Sequence, residues 1–163
     1  QQKDQKFQLA VSSHMANVVF DKYAEFCEKY ISTIYIGQEE LWIDGMEGQR
    51  ESQKVSKNAQ ELKKIRRNYR AWIPNALNET LEEFEQTIVE LGNRINFDTH
   101  SEEKNSRIEN LDKIFLRIKK LLEIHEDKQY GPSVIIDGLR ELLGVEEISQ
   151  IRRKMFDKIL VEE

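Results

Sequence analysis

Proline occurs only twice and glycine seven times in 163 residues, too rarely to punctuate a sheet protein with its many turns. What remains is a chain in which 34% of residues are charged, rich in Glu, Lys, Leu and Ile, the residues of long helices. The composition predicts an all-α fold, and the length suits one domain spanning 1–163.

Cysteine is nearly missing. A single thiol, Cys27, excludes an intramolecular disulfide, and no Cys/His spacing of a zinc site occurs, so a reducing, cytoplasmic compartment is the expectation. Neither sign of charge dominates: the net charge of −5 gives no global attraction to nucleic acid or anionic lipid, and any such binding must come from a local patch. No apolar run reaches the length of a membrane span; the longest compact one, VIIDGLRELL, meets a charge at its fourth residue. The chain opens at Gln1 rather than at a methionine, which reads as a fragment, or as the soluble part of a chain tethered to a membrane through a segment ahead of it.

Catalytic signatures are missing as well. There is no Gly-x-Ser-x-Gly elbow, P-loop, Gly-x-Gly-x-x-Gly or His-Glu-x-x-His. None of His14, His100 and His125 has a glutamate three positions before it, so the Glu-x-x-His pairs of di-iron bundles are not formed. His14, Asn17, Asp21 and Glu25 line one side of the first helix, as the polar side of any amphipathic helix does. IDGMEGQ lacks the acidic ladder of a calcium loop. No catalytic residue, metal ligand or cofactor is expected.

What is present is helical periodicity. Ala16, Phe20, Tyr23, Cys27, Tyr30 and Ile34 alternate in steps of four and three, predicting a helix over roughly 6–35 that turns or frays at Gly37, Gly45 and Gly48. Cys27, inside that stripe, is read as an inert core thiol. A second helix, 50–72, carries Val55, Leu62, Ile65, Tyr69 and Trp72 inward and ends at Pro74. The third, 75–96, has the cleanest stripe: Leu77, Leu81, Phe84, Ile88, Leu91 and Ile95. Thr99 and Glu102 form a capping-box pattern for a fourth helix, 101–125, built on Ile108, Leu111, Phe115, Ile118 and Leu122. Two short helices close the chain: 133–143, stopped by Gly144, and 145–160, with Ile148, Ile151, Met155 and Ile159. Stripes of this width need partners, so the expected architecture is a bundle of long antiparallel amphipathic helices with two short C-terminal ones. The seven-residue spacing of helix three also suits a coiled-coil seam between copies.

Two stretches stand out as candidate sites. Between 54 and 70, seven basic residues face the single Glu61, and Lys63, Arg67 and Arg70 share a helix side with Arg66 at its border. That spacing fits contact with phosphates or with an acidic partner. Tyr69 and Trp72 fall on the apolar stripe instead, which separates them from the charges and argues against base stacking. The acidic third helix, with Glu79, Glu82, Glu83, Glu85 and Glu90, offers a structural use for the same cations, Glu85 being the one nearest the stripe. The second stretch is an apolar island in the glycine-broken segment, Leu41, Trp42, Ile43 and Met46, which reads as a lid on the bundle or a partner-docking patch. The leading functional expectation is a non-enzymatic helical interaction or regulatory module that binds a protein partner or itself. The alternatives are nucleic-acid binding through Lys63, Arg66, Arg67 and Arg70, and a ligand-sensing bundle with a pocket between helices.

Overall fold

A computed structural model describes residues 2–42, 49–98, 104–124 and 132–161. The fold is all-α, and among the described residues there is no strand. Six helices follow in order: α1 (Gln2–Trp42), α2 (Gln49–Asn68), α3 (Asn75–Asp98), α4 (Lys104–Leu121), α5 (Pro132–Leu143) and α6 (Val145–Val161). α2 packs on α3 and α1, α3 on α4, and α1 on α5, while α6 packs on α5 and α1.

The core follows the sequence stripes. Phe26, Tyr30 and Ile34 of α1 meet Val55 and Leu62 of α2, Leu81, Phe84, Ile88 and Leu91 of α3, Ile118 and Leu122 of α4, and Leu139 and Leu143 of α5. Phe26 stacks tilted against both Tyr30 and Tyr69, at 5.3 and 6.0 Å between ring centres, geometries that suit the aromatic quadrupole.

Helix α1 does not turn at Gly37, as its glycine suggests, but runs 41 residues to Trp42. The glycine is needed for close approach rather than for a turn: a Cβ there would overlap the side-chain amide of Asn58 on α2. That amide donates from Nδ2 to the Thr33 carbonyl at 3.0 Å, stitching α2 to α1 where the backbones come nearest.

Helix α2 stops at Asn68, short of the expected 72, and tightens into a 3-10 turn over Arg70–Trp72. Ile73 is extended (φ −107°, ψ 130°), as the ring of Pro74 requires of the residue before it. Helix α4 also ends early, at Leu121. Glu123 takes a left-handed backbone (φ 54°), so that Ile124 N donates to Lys119 O at 2.9 Å and Glu123 N to Lys120 O at 3.2 Å. These are the two bonds of a Schellman close. Between α5 and α6 a single residue, Gly144 at φ 69°, performs the same reversal. The Thr99 and Glu102 capping pattern lies outside the described residues.

Candidate functional site

The four basic residues picked out between 63 and 70 have three different fates. Lys63 and Arg67 are exposed. Arg70 is committed to the α2–α3 joint: its Nη1 donates to Ile73 O at 3.2 Å and its Nη2 to Asn75 Oδ1 at 2.6 Å. Arg66 is only 4% exposed and has turned inward, which corrects its assignment to a phosphate-binding face. At the border of the stripe it sits close enough to the core to find a buried acid.

That acid is Glu85 of α3, 3% exposed. Arg66 Nε donates to its two oxygens at 3.0 and 2.9 Å, and Arg66 Nη1 donates to Asn78 Oδ1 at 2.9 Å. Tyr30 of α1, fully buried, donates its hydroxyl to Glu85 Oε2 at 3.0 Å. One carboxylate therefore ties three helices together. Burial pushes the Glu85 carboxyl above its ordinary range, with Arg66 and Tyr30 drawing it back. Burial and the neighbouring Glu85 charge hold the Tyr30 hydroxyl well above its own. A buried ion pair of this kind offsets its own desolvation at best, so it is not by itself a large source of stability.

Above the pair lies an open cleft of about 460 Å³ between α2 and α3, with Ala59 and Val89 as apolar lining and Lys63, Glu82, Gln86 and Glu90 around them. Glu90 is drawn sideways into an ion pair with Arg117 of α4, both about half exposed.

A second junction joins α1 to the end of α5. The Leu143 carbonyl, one of the last in its helix and without an intrahelical donor, accepts the Tyr23 hydroxyl at 2.8 Å and the Cys27 thiol at 3.9 Å. Cys27 is buried, and burial pushes its thiol up to about 11, partly countered by the hydrogen bond with Tyr23. Burial and Cys27 in turn raise Tyr23. A thiol so protonated is a poor nucleophile.

The residues that sequence reasoning did not single out as a surface lie on α6. Ile148, half-buried, begins the apolar arc against α1, and past it the arc loses its cover: Ile151 is 44%, Phe156 63% and Leu160 58% exposed. On α1 the same happens at the other end of a stripe. Val19 and Met15 share the helix face of Phe26 and Tyr30, yet are exposed. Periodicity announces an apolar face; it does not announce whether the chain supplies anything to cover it.

Leu41 and Trp42 close α1; their side chains, and Met46, lie outside the described residues, as do His100, His125 and the His14 side chain. Among the described residues there is no cluster of His, Cys, Asp and Glu that would hold a metal ion, and no helix is long and apolar enough to cross a membrane. The fold and these surfaces define an all-α helical protein. Comparison with known proteins found no matching family model, no similar curated protein and no similar solved structure.

Proposed function

We propose that this chain is a non-enzymatic helical interaction module whose working surface is the uncovered apolar arc of α6. The observation that carries the reading is the contrast between helices. In α2 and α3 the apolar stripe residues Val55, Leu62, Leu81, Phe84, Ile88 and Leu91 are buried, whereas Ile151, Phe156 and Leu160 of α6 stand in solvent. A surface cluster of large apolar side chains on one element is the usual mark of a binding surface.

The proposal is tested with Phe156→Glu/Leu160→Glu in the full chain. If the arc is a docking surface, the variant keeps its thermal midpoint within a degree or two and loses binding of a hydrophobic dye such as Nile red. If instead these residues support the fold, the double variant loses several kcal/mol of stability, as core truncations do, and the proposal fails.

The nucleic-acid alternative retains Lys63, Arg67 and Arg70 as exposed members of its four residues, Arg70 being already hydrogen-bonded to Ile73 and Asn75, with Lys54, Lys57 and Lys64 exposed nearby. The ligand-sensing alternative has the α2–α3 cleft as its natural pocket, with Arg66 and Glu85 at its base already engaged with each other, Asn78 and Tyr30.

A further inference from the structure

The second half of α6, where the arc is uncovered, is predominantly basic, the acidic Glu146 and Glu147 lying in its first turn. Within 152–158 the chain places Arg152, Arg153, Lys154 and Lys158 against the single Asp157, a local net charge of +3 in a protein whose total is −5. All four cations are exposed. At about 100° per residue, Arg153 borders Leu160 on one edge of the arc and Lys158 borders Ile151 on the other, with Phe156 between the edges. Arg152 falls inside the arc, but its side chain lines the small cleft against α1 together with Cys27 and Ile148. Every described residue from Ser149 to Val161 is exposed; the cleft against α1 reaches only Ser149 and Arg152 of this stretch, so Ile151, Phe156 and Leu160 line no part of it.

We infer that α6 docks on an anionic lipid surface, lying in the interfacial plane with Ile151, Phe156 and Leu160 among the acyl chains and Arg153, Lys154 and Lys158 among the headgroups. This rests on the interaction reading above and names its partner. An apolar face edged by cations that reach up to the headgroup level is the pattern of interfacial helices. The partner must be negatively charged, because three apolar side chains bind a neutral bilayer only weakly and the cations supply the rest.

The test is sedimentation of the full chain with vesicles of phosphatidylcholine alone or with about one-third phosphatidylserine, at about 0.1 and 0.5 M salt. The expected result is binding to the anionic vesicles at least tenfold stronger than to the neutral ones, weakened by salt. It should be lost in Phe156→Glu/Leu160→Glu and reduced tenfold or more in Arg153→Gln/Lys154→Gln/Lys158→Gln, with circular dichroism unchanged in both. Equal binding to both vesicles would overturn the charge-directed partner, and undiminished binding of the variants would overturn the placement on α6. No binding to either vesicle, alongside Nile red binding that the Phe156/Leu160 variant loses, would sink the lipid partner while the interaction surface itself stood.

Discussion

Gly37 and Asn58 meet where α1 and α2 approach so closely that a methyl group on the glycine would occupy the space of the asparagine amide. Gly37→Ala should therefore destabilise the protein despite the roughly 1 kcal/mol that alanine gains over glycine inside a helix. Overpacking of a tight contact costs about 1–3 kcal/mol, and the displaced amide also loses its bond to Thr33. The expected net loss is on the order of 1–2 kcal/mol in a denaturant titration. Adding Asn58→Ala should recover most of it, since the space is then vacant. Absence of recovery in the double variant would mean that some other contact makes the glycine necessary.

Arg66 and Glu85 give a sharper asymmetry. Arg66→Met leaves a buried carboxylate with only Tyr30 as donor and should cost about 3–5 kcal/mol. Replacing both partners with apolar residues, Arg66→Met/Glu85→Leu, should restore stability to within about 1–2 kcal/mol of the parent, because the desolvation cost goes with the charges. Urea unfolding of the three proteins distinguishes this from a pair that is strongly stabilising in its own right, for which the double variant would be as weak as the single one.

Two buried weak acids, Cys27 and Tyr30, and the half-buried Tyr23 make the fold sensitive to base. Cys27, Tyr23 and Tyr30 all have folded-state ionisations raised by burial. In each case the native state holds a proton that the unfolded chain releases, so stability is complete below the unfolded value and declines as pH rises above it. For Cys27 the window runs from pH 9.0 to about 11, on the order of 3 kcal/mol, and the tyrosines extend the loss upward from pH 10.0. Thermal midpoints taken from pH 8 to 11 should fall continuously above 9, and Cys27→Ala should remove the earliest part of that fall. A flat profile would contradict the burial of these groups. At pH 8 the thiol should react with a disulfide reagent only as fast as the protein opens.

The legible part of this fold was what one helix can say about itself. The stripe of α3 placed Leu81, Phe84, Ile88 and Leu91 in the core, where they are, because burial on a helix repeats with its geometry. What escaped depends on the neighbour. Gly37 reads as a breaker until Asn58 is set beside it, and while Glu85 is legible as the α3 acid nearest the stripe, nothing in the sequence selects Arg66 among the neighbouring cations as its partner or brings Asn78 within 3.0 Å of it. On α6, Ile148 of the expected stripe is half-buried and Ile151 exposed, and the exposed Phe156 and Leu160 lie outside that stripe, a difference that periodicity alone does not signal. The basic flank at Arg152, Arg153, Lys154 and Lys158 could have been noticed beforehand, since an apolar stripe edged by cations differs from one edged by mixed charge.

Glu123 was equally silent in the sequence, because glycine, not glutamate, is the residue that ends a helix through a left-handed backbone. Here the close is made all the same, with both Schellman bonds formed and Ile124 turned in to pack on the core. The reward for ordering Ile124 outweighs the strain at its neighbour, which for a residue with a Cβ is about 1 kcal/mol. Glu123→Gly should relieve that strain and raise stability by about 0.5–1 kcal/mol, the gain being partly offset by the greater freedom of glycine in the unfolded chain. Glu123→Ala keeps the Cβ and removes the charge, so it should gain almost nothing. If alanine stabilised as much as glycine in a side-by-side denaturant titration, the relief would come from the carboxylate near the end of α4, where helix dipoles disfavour negative charge, and not from the backbone.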